Sequence, residues 1–432
     1  MPRNFIVPET GMKTLYDENN YTKVILDNGL TLVSQHMPHL RSVSIGVWIT
    51  AGSRFESADT MGIFHFIEHS VFKGTKHRSA LQIAKSLENV GGSINAFTSK
   101  EHTCFYANIL SEDLTLAVDV LADLVIHARF DAKEINREKQ VILEEIRDTE
   151  DTPEEFVQDY FYGQVYRNHP MGYNILGTPQ SVKVLDRKRI VDMYRKYYVP
   201  SNMVVSVAGN FDETTLQSVI AKKFVFPKNL RNTSYWPAGF EKYTIRNTPS
   251  KTEVVEKKIN QAHVCMGVTI HESYTDDHRF EYLVLNTVLG GGMSSRLFQK
   301  IREKMGLAYS IYSFVDFLND GGIFGVYWAT DKNQAQKSVD TVKTELRKLA
   351  DKPITVGELR MAKAQIKANL LFGLESTSTR MIRLAKNEIY LGKKINIGEI
   401  TKLIDRLTIR DIQKTGNTLA KLVDKMQISI VQ

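Results

Sequence analysis

The chain has 432 residues and a mass of 49.2 kDa, room for about three average domains or two large ones. Hydrophobic residues make up 42% and charged residues 24%, ordinary soluble globular usage that excludes a largely disordered, collagen-like or coiled-coil chain. Lys+Arg exceeds Asp+Glu by only 56 − 49 = 7, with no basic stripe or recognisable module, so no nucleic-acid partner is expected. No apolar run approaches the roughly 20 residues that span a bilayer, so no membrane insertion is expected either.

Two cysteines, Cys104 and Cys265, stand far apart in apolar segments, which fits a reducing compartment better than a disulfide scaffold. Residues 1–16 hold no apolar run, and acids occur at Glu9 and Asp17, unlike a secretory signal or an Arg/Ser-rich transit peptide. A cytoplasmic location is expected, or a mitochondrial matrix one if a presequence has been removed.

In chain order, residues 22–27 and 30–36 read as strands around Asn28-Gly29, a dipeptide suited to a type I′ turn, whose two central residues need positive φ. Residues 42–51 (SVSIGVWITA) are the next strand. Helices are expected over 62–72 and 79–90, the second closed by Gly91-Gly92. Residues 93–98 and 103–110 form a further hairpin, and 114–126 an amphipathic helix. Asp131 caps a long helix running to about Thr149, Pro153 opens the next, and 203–208 return as a strand.

The second half repeats this order. Strand 263–270 precedes helices 280–289 and 294–304, then paired strands 309–316 and 322–330, helices 334–349 and 356–374, and a closing strand 426–431. Matched elements keep a steady offset, 263 − 42 = 221 and 426 − 203 = 223, far longer than a solenoid repeat. The expected fold class is α+β: two homologous α/β domains from an internal duplication, each a mostly antiparallel sheet packed with helices. Residues 227–250, rich in Asn, Thr, Pro and Lys, read as a linker between a domain at 1–226 and another at 251–432.

Chemistry concentrates in residues 62–69, GIFHFIEH, which contain His-x-x-Glu-His. On a helix His65 and His69, at i and i+4, share one face, so two imidazoles reach one ion at about 2.0–2.1 Å. Glu68 lies beside that face and reaches a water rather than the ion. Apolar Ile63, Phe64, Phe66 and Ile67 bury the helix, which makes uncompensated His and Glu costly there. A catalytic zinc needs a third protein ligand and an open position. The helix after Asp131 offers Glu138, Glu144 and Glu145. Glu138 and Glu145 share a face with Val141 and Ile142 at i, i+3, i+4, i+7, whereas Glu144 points about 100° away and is expected to be solvated. Glu145 as ligand and Glu138 as its support would satisfy both buried carboxylates; spacing alone does not single out Glu145.

With these residues in place, the chain resembles the M16 metallopeptidases, the inverzincins, and within them the short two-domain type of the mitochondrial processing peptidase β subunit and its bacterial relatives. The family pattern is His-x-x-Glu-His followed about 75 residues later by a helical Glu, with another Glu seven residues before it. Here 145 − 69 = 76 and 145 − 138 = 7, so the resemblance implies His65, His69 and Glu145 as ligands of one zinc per subunit, Glu138 as support and Glu68 as general base.

The resemblance extends to residues 92–98, GSINAFT, similar to the family's active-site edge strand; Asn95, Ala96, Phe97 and Thr98 would pair with an extended substrate. It also covers Arg302 and Tyr309, similar to an Arg and Tyr that contact the substrate near the scissile carbonyl. The glycine cluster at 290–292 reads as a flexible or close-packed turn. The second copy lacks the metal motif, with no matching His and with Asn369 near the place of Glu145, and reads as a degenerate, substrate-facing domain. The implied function is a zinc endopeptidase acting on extended or unfolded peptides. The alternatives are a non-catalytic scaffold subunit and a presequence-processing subunit that needs a separate partner. A homodimer is expected, with a heterodimer of related subunits as the other arrangement; in the family such pairs form a clamshell in which Arg302 and Tyr309 would serve the other subunit's site.

Overall fold

The computed structural model describes residues 20–227 and 249–432. The N-terminal residues weighed for targeting and nearly all of the expected linker lie outside the described residues. The first sheet contains β1 (Tyr21–Ile25), β2 (Thr31–His36), β3 (Ser42–Ile49), β4 (Ser93–Thr98), β5 (Thr103–Leu110) and β6 (Met203–Gly209), in the order β1-β2-β6-β3-β5-β4. The second contains β7 (Thr252–Val255), β8 (Ala262–Ile270), β9 (Ala308–Phe317), β10 (Gly322–Thr330) and β11 (Gln427–Val431), in the order β7-β11-β8-β10-β9.

Apart from the extra β1, the two sheets are one design. β2 runs parallel to β6 as β7 does to β11, and every other neighbouring pair is antiparallel. The duplication expected from the element order is therefore present in the strand topology. The β1–β2 turn differs from the expected type I′. Only Gly29 has positive φ, at 89°, and Asn28 does not. The Gly29 N–H donates to the Leu26 carbonyl and the Leu26 N–H to the Leu30 carbonyl, which makes a three-residue loop ending in a left-handed glycine. Asn28 instead spends its side chain on the Leu30 N–H and the Phe224 carbonyl.

The helices of the first half are α1 (Ile63–Val71), α2 (Ala80–Glu88), α3 (Leu114–Ile126), α4 (Ala132–Asp151), α5 (Pro153–Val165), α6 (Pro179–Val184), α7 (Arg187–Tyr197) and α8 (Glu213–Lys223). In the second half follow α9 (Arg279–Gly290), α10 (Ala335–Asp351), α11 (Val356–Gly373), α12 (Thr377–Leu391), α13 (Ile397–Arg406) and α14 (Ile409–Leu422). Their starts are chemical. Ser79 and Gln82 form a capping box on α2, Asp131 accepts from the Lys133 N–H on α4, and Pro153 opens α5. The expected helix 294–304 is π-helical over Phe298–Lys304, and Gly290 lies against the backbone of Ser313. Helices α6, α7, α8, α12, α13 and α14 and strand β7 are additions to the elements read from sequence.

Each sheet packs one face on helices of its own half and the other on a helix of the opposite half. Met381, Leu384, Ala385 and Ile389 of α12 close over Val33, Trp48, Val204 and Ala208 of the first sheet. Reciprocally, Val157, Phe161 and Val165 of α5 close over Cys265, Ile323, Tyr327 and Val431 of the second. Coverage on both faces explains why β3, β6, β8 and β10 are buried nearly end to end rather than alternating. Among the described residues no helix is long and apolar enough to cross a membrane.

Candidate metal centre

Helix α1 is held from its apolar side, where Ile63, Phe64, Phe66, Ile67 and Val71 are fully buried. Its N-terminus is tied by Glu56, whose carboxylate accepts from the Gly62 N–H at 2.8 Å and the Phe64 N–H at 3.0 Å. Burial pushes the Glu56 carboxyl up to about 8 against the pull of those amides. The opposite face presents His65 and His69, their ring centroids 4.6 Å apart. Helix α4 lies across this face and brings Glu145. Its carboxylate oxygens stand 3.7 Å from His65 Nε2 and 3.5 Å from His69 Nε2.

A tetrahedral ion at about 2.0–2.1 Å from each donor spaces them about 3.3–3.4 Å apart. The three side chains approach that spacing, at 3.5 and 3.7 Å between the imidazoles and Glu145 and with ligand atoms all within 4.8 Å of one another, so small side-chain shifts fit them to a zinc ion. Burial, with a smaller contribution from His69, lowers the His65 imidazole to about 3, which keeps its lone pair available. The His69 ring is oriented from behind by Glu138 Oε2, 3.1 Å from Nδ1, and Glu138 Oε1 meets Lys73 Nζ at 2.9 Å. Burial alone would raise the Glu138 carboxyl, but His69 and Lys73 prevail and hold it below its ordinary value. Glu144 points into solvent and pairs with Arg147, as its position on the helix implies; Val141 is 47% exposed, so the shared face is wet there.

Glu68 does not join the three-residue cluster. Its Oε2 accepts from Thr98 Oγ1 at 2.5 Å. Burial pushes its carboxyl up, the Thr98 hydroxyl and His69 partly opposing. Thr98 belongs to β4, which pairs with β5 on one side and forms the free edge of the sheet on the other. Ala96, Phe97 and Thr98 line a cavity of about 450 Å³ together with His65, Glu68 and Glu145. Asn95 is exposed, its Oδ1 turned back onto the Ala96 N–H.

The remaining wall was not read from sequence. Glu155, Gln158 and Asp159 of α5 and residues 174–176 complete the cavity. Glu155 and Asp159 stand at i and i+4, a signal of one acidic helix face. Lys73, four residues after His69, was equally available as a partner for Glu138. Arg302 and Tyr309 are brought to each other, the guanidinium 5.1 Å from the phenol ring. Tyr309 is 77% exposed, and neither residue lines the cavity over His65 and Glu145.

Two family models match the chain in succession, and the second begins at residue 185, within the first half and before β6. The family model described as insulinase (peptidase family M16) matches residues 31–179, and that described as the peptidase M16 inactive domain matches residues 185–366. The uncharacterized zinc protease YmxG of Bacillus subtilis is 40% identical over 91% of this chain and 94% of its own. An uncharacterized zinc protease of Mycobacterium tuberculosis is 38% identical over 92% and 90%. In structure, a protease from Helicobacter pylori superposes with a TM-score of 0.89 at 25% identity, over 95% of this chain and 99% of that one. A peptidase M16 inactive domain protein from Pseudomonas fluorescens shares the fold, with a TM-score of 0.86 at 18% identity, over 95% and 98%.

Proposed function

Because the chain belongs to the insulinase family of peptidases, M16, we propose that it is a zinc-dependent endopeptidase that hydrolyses extended or unfolded peptide chains. The observation that carries the reading is the convergence of His65 Nε2, His69 Nε2 and the Glu145 carboxylate at 3.5–3.7 Å beside a separate carboxylate, Glu68. These three donors would hold one zinc. Bound zinc supplies Lewis-acid activation of a water and polarisation of the scissile carbonyl.

The chain's own residues do the rest. Glu68 takes the proton of the attacking water and returns it to the leaving amine. Its burial raises its basicity, and the Thr98 hydroxyl occupies Oε2 and leaves Oε1 for the proton. Glu138 fixes the His69 tautomer so that Nε2 faces the ion. The free edge of β4 offers an extended substrate a strand to pair with. Arg302 and Tyr309 supply donors to the developing oxyanion from a second copy of the chain or a related subunit. Free, buried Cys104 and Cys265 suit a reducing compartment such as the cytoplasm.

The test uses the isolated protein on one substrate in two states. It should cut an unfolded protein and peptides of about ten to thirty residues, because strand pairing needs free backbone groups, and a stably folded protein far more slowly. Chelation should abolish cleavage and zinc restore it. Equal rates on folded and unfolded substrate would refute the strand-pairing reading; full activity in chelator would refute the metallopeptidase.

A further inference from the structure

A second group of ligand-type side chains lies outside the cavity just described, where the loop between α1 and α2 meets the C-terminal end of α3. His77 comes from the loop; Asp123 and His127 stand at i and i+4 on α3 and its C-cap. One ligand atom from each falls within 4.8 Å of the others. Asp123 Oδ1 is 3.2 Å from His127 Nδ1 and 4.0 Å from His77 Nε2. The two rings stand 5.0 Å apart at 86°, edge to face.

The hydrogen bonding at this corner is half complete. Asp123 is only 5% exposed. Its Oδ2 accepts from Thr75 Oγ1 at 2.6 Å and Arg78 Nη1 at 2.8 Å. Its Oδ1 and His127 Nδ1 are buried with only their mutual 3.2 Å contact, which is too poorly aligned to make a good hydrogen bond. Buried polar atoms left in this state cost about 1–3 kcal/mol each, and a cation between them would satisfy both. The scaffold around them is already fixed. Thr75 Oγ1 accepts from the His77 and Arg78 N–H groups, Lys76 N–H donates to the His127 carbonyl, and Thr75 bridges Ala128.

From this geometry we infer that His77, Asp123 and His127 form a second divalent-metal site, which clamps the α1–α2 loop to the end of α3. Two imidazoles and one carboxylate select a borderline transition ion, zinc above all, over magnesium or calcium. Asp119 pairs with both Arg78 and Lys223, while Lys76 is a further cation whose charge acts on the His127 ring and would have to turn away from a bound ion. The coordination left open faces a cavity of about 910 Å³ that reaches Gln82, Lys85 and Lys222. His77 is 62% exposed in its side chain, which gives the ion an entry and makes this site the faster to exchange.

The test separates the two sites by substitution and uses zinc ions alone as probe. Wild-type chain, the His65→Ala/His69→Ala chain and the His77→Ala/His127→Ala chain are dialysed against zinc and their metal content measured. Expected are two zinc ions per wild-type chain and one in each double variant. In the His65→Ala/His69→Ala background, zinc should raise the unfolding temperature, and adding His77→Ala should weaken that binding at least about tenfold. The second measurement needs only the exposed His77, so it stands even if His127→Ala fails to fold. A wild type with one zinc that the His77→Ala/His127→Ala chain keeps, or a second zinc held as tightly without His77 and His127, would overturn the inference. The His65 cluster is read separately, from the zinc that the His77→Ala/His127→Ala chain retains.

Discussion

Glu138 shows how much of a metal centre can reside in a residue that does not touch the metal. Its two oxygens are divided between His69 Nδ1 and Lys73 Nζ, so it sets both the tautomer and the orientation of the ring. Glu138→Gln keeps the shape, weakens the pull on His69 and should lower zinc affinity about 10–100-fold, read by competition with a chelator. Unchanged affinity would remove Glu138 from the site. The helical period made His65, His69 and Glu68 legible, since it puts the two histidines on one face of one helix and Glu68 beside it. It also separated Glu145 from Glu144, which lies solvated beside Arg147. Choosing Glu145 over Glu138 as ligand needed either the family pattern or the structure, because both share a face. The His77, Asp123 and His127 corner was not legible: a loop residue meets a helix end there, and no periodicity links them.

At the scale of elements, close approach of helix to sheet is set by paired glycines. A Cβ on Gly46 of β3 would stand 2.5 Å from Met381 Sδ of α12, and one on Gly267 of β8 would stand 2.8 Å from Phe161 Cζ of α5. The two glycines hold matching places in the duplicated sheets, 267 − 46 = 221 residues apart. Gly46→Val should therefore cost about 1–3 kcal/mol by overpacking. Gly357→Ala, in the exposed first turn of α11, where a Cβ would meet only Thr355 Oγ1 at an ordinary 3.8 Å, should gain up to about 1 kcal/mol. Denaturant unfolding measures both; a neutral Gly46→Val would mean that α12 does not sit where described. The strands and their duplication could be read because each is a short apolar run bounded by turn residues. The exchange of α5 and α12 could not: α12 was not read as an element at all, and the apolar face of α5 says that the helix is covered and not by which sheet. The β1–β2 turn was misjudged because Asn28 has uses for its side chain that a two-residue turn does not offer.

Across the whole molecule the two halves are locked by more than the exchanged helices. Arg54 and Glu101, both buried, reach Asp320 and the Asn319 N–H of the β9–β10 loop, and Tyr390 donates to Glu101 at 2.7 Å. The β4–β5 turn beside the cavity is thus fastened to the second half, and the edge of β4 is left open for the substrate pairing proposed above. That edge is also where a second subunit would bring Arg302 and Tyr309, which lie together and away from the cavity within one chain. Mixing inactive Glu68→Gln chains with inactive Arg302→Ala/Tyr309→Phe chains should regain activity, because one of the two sites in a mixed dimer is intact. No recovery despite proven subunit exchange would mean that the site is built within one chain or that the protein works as a monomer. The central claim rests on Glu68 as proton carrier beside a zinc it does not bind. Glu68→Gln should retain wild-type zinc content while peptide cleavage falls about 10²–10⁴-fold; cleavage at the wild-type rate with zinc in place would contradict it.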